Sequence, residues 1–137
     1  MSGMTQPLSH SHDSLLSTLP VLQEFLQSIL ADIHSLDLNT QGPTYFLDDQ
    51  ISKLTLNVSQ FVELTTLQTR LLRKRQIEVP TRVKDSHVHL LFVMKGINQA
   101  FQKHDLLGLE ELIKYELKDN LTQWKIHLIK SIFEAKV

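Results

Sequence analysis

Apolar residues recur along this chain at alternating separations of four and three, the spacing that gathers them on one face of an α-helix. Leu15, Leu19, Leu22, Leu26, Ile29, Ile33 and Leu36 form the first such stripe. Pro20 lies within it. A proline has no N–H and crowds the preceding turn, so it belongs in the first turn of a helix. The regular helix is therefore expected to begin near Pro20, with Ser17 or Thr18 as N-cap and residues 13–17 as a separate turn or kinked extension. It should end near Leu36, ahead of a loop over Asn39 to Pro43.

A second stripe, Leu47, Ile51, Leu54, Val58 and Phe61, repeats the spacing and continues with a small drift through Leu64, Leu67 and Leu71. This predicts a helix starting between Thr44 and Asp48 and running for about 30 residues, or about 45 Å. Asp48 and Asp49 fall in its first turn, and Arg70, Arg73, Lys74 and Arg75 close it, each sign at the end the helix dipole favours. Its many Thr and Val residues lower helix propensity, but packing of the periodic face outweighs propensity. A connector over Ile77 to Arg82 contains Pro80. The third stripe is Val83, His87, Leu90, Met94, Ile97 and Phe101, widened by Leu91 and Phe92, with Thr81 or Asp85 as cap. Gly96 inside this helix costs about 1 kcal/mol against Ala unless another helix packs close to it.

Asp105 is the expected N-cap of the last helix, which runs from Leu106 toward the C-terminus. At 100° per residue Leu106, Leu109, Ile113, Leu117, Leu121, Trp124, Leu128 and Ile132 share one face. Leu112, Tyr115, Ile126, Ile129 and Phe133 gather on a second face roughly opposite. A helix with two apolar faces needs two neighbours, or one neighbour and a partner. Four helices with short connections predict an all-α, antiparallel up-down-up-down four-helix bundle over residues 15–137, preceded by a disordered polar leader over 1–14. A three-helix core with one helix exchanged between protomers is the alternative.

Composition narrows the chemistry. The 137 residues suit one domain, and 42% hydrophobic with 21% charged residues is a globular balance. Without Cys there is no disulfide framework, thiol nucleophile or thiolate metal site. No apolar run is long enough to span a membrane, and no secretory signal opens the chain, so a cytoplasmic location is expected. The net charge of −1 hides a division. Residues 1–69 carry one base against seven acids, a net of −6, and residues 70–137 carry thirteen bases against eight acids, a net of +5.

Seven histidines invite a metal reading, yet no Glu-x-x-His, His-x-x-x-His or His-x-x-x-Glu pair falls on a predicted helix. His87 and His89 point about 200° apart on a helix and do not share an ion. No metal or cofactor is expected. No nucleophile elbow or phosphate-binding glycine loop occurs, so no catalytic residue is assigned. His87, Tyr115, Glu116 and Asn120 are candidates for a buried polar cluster, either a ligand site or a core network that fixes register.

Arg70, Arg73, Lys74 and Arg75, followed by Arg82 and Lys84, are candidates for anion binding. No aromatic residue is interleaved with them, so base stacking is not expected and nucleic acid is a poor candidate partner. The reading that follows is a small protein-binding module, an adaptor, chaperone-like or regulatory protein. Its partner is another protein or a second copy, met through Leu112, Tyr115, Ile126, Ile129 and Phe133. The alternatives are a ligand- or metal-binding bundle centred on His87, Glu116 and Asn120, and a weak binder of nucleic acid or an anionic surface through residues 70–84.

Overall fold

The structure is a computed structural model describing residues 6–36 and 44–129, and of residues 6–18, 44–46 and 128 the backbone alone. Four helices and no strand make up the described residues. They are α1 (Gln6–Ser35), α2 (Thr44–Lys74), α3 (Thr81–Gln102) and a compound last helix. The last helix opens as α4 (Leu106–Glu110), widens into a π-helical stretch (Glu111–Leu117), returns to α geometry as α5 (Lys118–Gln123) and widens again (Trp124–Leu128).

The predicted α1 stripe is buried at Leu22, Leu26, Ile29, Ile33 and Leu36. The predicted start is corrected. The backbone is helical from Gln6 through Pro20, so neither Ser17 nor Thr18 is an N-cap, and residues 6–14 of the expected leader belong to α1. Pro20 is exposed, so the bond that its missing N–H leaves unmade, to the Leu16 carbonyl, is the local cost of continuing through it.

In α2 the spacing of four and three persists longer than the apolar residues do. Ile51, Leu54, Val58 and Phe61 are buried, and the next inward positions are Thr65, Gln68 and Leu72. The expected drift to Leu64, Leu67 and Leu71 is therefore corrected: Leu64 and Leu71 are half-buried and Leu67 is exposed. The helical period places Thr65 and Gln68 inward regardless of their polarity. The threonine hydroxyls are satisfied within the helix. Thr65 Oγ1 donates to the Val62 carbonyl at 2.9 Å, and Thr66 Oγ1 to the same oxygen at 2.8 Å.

Both connections that follow use the same helix stop. The Gln76 N–H donates to the Arg73 carbonyl and the Ile77 N–H to the Leu72 carbonyl, with Gln76 at φ 60°. After α3, the His104 N–H donates to Phe101 and the Asp105 N–H to Ala100, with His104 at φ 54°. This is the Schellman arrangement, and its left-handed position normally carries glycine. The start of α3 is held by the Pro80 carbonyl, which accepts from the Val83 and Lys84 N–H groups with no side-chain cap. The expected capping by Thr81 or Asp85 is thus absent. Asp105 does cap the last helix, Oδ1 accepting from the Gly108 N–H at 2.9 Å.

The last helix touches each of the others. Trp124 meets Phe61 of α2 edge-on, ring centroids 5.5 Å apart and planes at 88°. Lys114 Nζ donates to the Ile33 carbonyl of α1 at 2.7 Å, near the negative end of that helix. Against α3 the approach is close: a Cβ on Gly96 would lie 3.3 Å from the Leu112 side chain, which explains a glycine in mid-helix.

Glycine adopts the left-handed region without the Cβ clash that Gln76 and His104 bear there. Gln76→Gly and His104→Gly are each expected to raise stability by about 0.5–1 kcal/mol. Urea melts of the two single variants and the double check this, and a loss in either would show that the side chain is needed.

Candidate functional site

The bend from α2 into α3 brings together residues that lie in separate groups along the chain. A cleft of about 230 Å³ opens there. Thr69 and Arg73 reach it from the end of α2, Val79 from the connector, and Val83, Lys84 and His87 from α3. Val88 and Leu91 complete its lining. So Arg73 of the basic set and His87 of the polar set share one hollow, with an apolar lining between them. Arg70 and Lys74 are exposed and Arg75 is half-buried, and of the four expected anion-binding residues only Arg73 lines the cleft. Offsets of three, one and one spread these side chains around the helix, so they do not converge on one anion.

Beside the cleft lies an apolar patch. Val88, Leu91 and Phe92, within about one turn of α3, are 68%, 51% and 75% exposed. Leu91 and Phe92 were expected to widen the buried face of α3, and the structure corrects this. The buried residues of α3 are Val83, Leu90, Val93, Ile97 and Ala100, whereas His87, Met94 and Phe101 are half-buried. A signal for the patch was present in the chain. The stretch Val88 to Met94, broken only by His89, covers nearly two turns, so some of its apolar residues must face away from the core.

The expected polar cluster divides. Asn120 is buried, and its Nδ2 donates to the Ser86 carbonyl at 3.2 Å and lies 3.0 Å from His89 Nδ1. That ring nitrogen accepts when the imidazole proton is on Nε2. His87 faces the cleft instead, because residues two apart on a helix point in nearly opposite directions. Tyr115 and Glu116 are exposed and line a shallow groove with Gly108, Glu111 and Leu112. The four residues therefore form no single centre, and Asn120 is the buried member. Two buried polar atoms one helical turn apart, Asn120 Oδ1 and Trp124 Nε1, have no hydrogen-bond partner.

The second apolar face of the last helix is also corrected. Tyr115 and Ile126 are exposed as expected, and Leu112 is half-buried against Gly96. Ile129, however, is buried in the core. The Ile129 N–H donates to the Trp124 carbonyl, five residues back, so one more residue fits into that turn. Ile129 thereby joins the buried set with Trp124, and the side chain of Leu128, expected on that face, lies outside the described residues. Phe133, the remaining member of the face, and Ile132 lie outside the described residues.

Among the described residues no three His, Asp or Glu side chains come together as a metal-ligand set, and no helix is long and apolar enough to cross a membrane. No family model, curated protein or solved structure matches the chain.

Burial in the cleft lowers the pKa of His87 below its ordinary 6.5. The charged groups that share the cleft with it are Arg73 of α2 and Lys84 of α3. The folded chain thus holds a proton on His87 less readily than the unfolded chain does. The associated stability is full above pH about 6.5 and is lost as the pH falls below it. Wild type should lose more stability than His87→Gln between neutral and mildly acidic pH, as read from urea melts, and equal losses would contradict this. For Asn120 the expectation is asymmetric. Asn120→Leu removes a half-satisfied buried amide and should change stability by less than about 1 kcal/mol, whereas Asn120→Asp buries a carboxylate and should cost about 3 kcal/mol or more at neutral pH. Denaturant midpoints of the two variants decide it.

Proposed function

We propose that this chain is a cytoplasmic helical-bundle protein-binding module, an adaptor, chaperone-like or regulatory protein, with its helices in antiparallel up-down-up-down order. The order is supported by contacts between α3 and the last helix. Gly96 lies against Leu112, whereas Ser86 and His89 meet Asn120, so positions advancing along one helix recede along the other. The binding role rests on one observation above the rest, the exposure of Val88, Leu91 and Phe92 side by side on α3. An exposed aromatic beside two exposed aliphatic side chains forms an apolar patch of the kind that marks interaction surfaces, where Phe is enriched. The adjoining cleft, lined by Val79, Val83, Val88 and Leu91 together with Arg73 and Lys84, suits an apolar side chain followed by a carboxylate. In this reading Tyr115 and Ile126 extend the contact surface along the last helix, and no reaction is assigned to the molecule.

Phe92→Glu tests the proposal. At 75% exposure the substitution should alter stability by less than about 1 kcal/mol, since surface changes away from special features have small effects. Partner capture by the immobilised chain from extracts of its own cells should fall sharply. Unchanged capture by a folded Phe92→Glu variant would remove α3 as the binding surface.

A further inference from the structure

We propose that two copies of this chain pair antiparallel through the outer face of α2, about a two-fold axis level with the peptide joining Phe61 to Val62. This goes beyond the partner reading of α3 and uses a different surface. Opposite its buried stripe, α2 carries a second line of positions, Asp49, Leu56, Gln60, Glu63, Leu67 and Lys74. Their separations of seven, four, three, four and seven keep them within a narrow strip of the helix surface. All six are exposed, and the two leucines are 58% and 43% exposed. The two leucines give this outward strip its apolar contacts, and the charges around them give it direction.

The strip is complementary to its own reverse. With the axis between Phe61 and Val62, Leu56 faces the partner's Leu67, Gln60 faces the partner's Glu63, and Asp49 faces the partner's Lys74. Each contact occurs twice, as two-fold symmetry demands. A shift of one turn in either direction sets a leucine against Glu63 or Gln60, so the register is selected by the leucines. Charge selects the direction. Residues 44–63 carry Asp48, Asp49 and Glu63 against Lys53, and residues 64–74 carry Arg70, Arg73 and Lys74 with no acid. Antiparallel pairing sets acidic half on basic half twice, whereas parallel pairing sets like on like.

Most of these charges are not consumed within the chain. Among the described residues Glu63, Arg70 and Lys74 have no ion-pair partner, and the ion pair on this face joins Lys53 to Asp49 at 3.4 Å. That carboxylate also tempers the one unfavourable juxtaposition, Lys53 with the partner's Arg70. Two leucines per copy and exposed charges make an association that is reversible and weakened by salt.

Sedimentation equilibrium of the full chain tests the pairing. A monomer–dimer equilibrium is expected at low salt, about tenfold weaker at high salt. Lys74→Glu and Asp49→Lys should each weaken it, and the double variant should restore it. The chain has no Cys, so introduced thiols report register directly. Leu56→Cys mixed with Leu67→Cys should form a mixed disulfide under mild oxidation, while neither forms one alone, since like positions would sit about 16 Å apart. All these positions are exposed, and circular dichroism confirms that each variant is folded. A monomer at low salt, dimerisation unmoved by Lys74→Glu in a folded variant, or self-linking of Leu56→Cys would each overturn the proposal.

Discussion

Trp124 stands edge-on to Phe61, both rings removed from solvent, and the helix that carries Trp124 is the one against which the rest of the core is assembled. It reaches α2 through that aromatic pair, α1 through Lys114 on the Ile33 carbonyl, and α3 through Leu112 on Gly96 and Asn120 on Ser86. A large aromatic pair contributes both burial and a preferred edge-to-face geometry. It therefore sets the spacing of the helices that meet around it, and the aliphatic side chains fill what remains.

That helix meets three neighbours by not being a uniform α-helix. The Lys118 N–H reaches back five residues to the Ile113 carbonyl, and the Ile129 N–H five residues to Trp124. Each widened turn takes up an extra residue and delays the rotation of the apolar stripe, in the manner of a π-bulge. The inward set includes Leu109, Ile113, Leu117, Leu121, Trp124 and Ile129. A strict 100° step would carry the stripe past Ile129. The widening also leaves Tyr115 and Ile126 outside while their former companion Ile129 is taken in.

The bend between α2 and α3 shows how surface character arises from geometry. Its basic residues satisfy a helix C-terminus, and alone they would be a dipole match of modest worth. The turn through Gln76 and Val79 sets Arg73 beside Val83, Lys84 and His87, and the neighbouring turn of α3 exposes Val88, Leu91 and Phe92. Two cationic side chains lining a cleft next to exposed apolar ones make a different surface from a run of arginines spread around a helix.

Much of this was legible in the chain because it depends on local period and local chemistry. The spacing of four and three determined four helices, the ends of α2 and α3 to within a few residues, Asp105 as a cap, and the inward faces at Leu22 to Leu36 and Ile51 to Phe61. The need for a close neighbour at Gly96 was readable for the same reason, since a bare backbone in mid-helix implies contact. What only the tertiary structure decided were the places where a helix obeys its neighbours instead of its own composition. Thr65 and Gln68 are buried because they continue the inward positions of α2 beyond its apolar residues. Asn120 pairs with His89 instead of His87 because α3 presents opposite sides to α2 and to the last helix. Ile129 is inside, and Phe92 outside, because angular phase is set by packing, and apolar character alone does not say which face of a helix the core will claim.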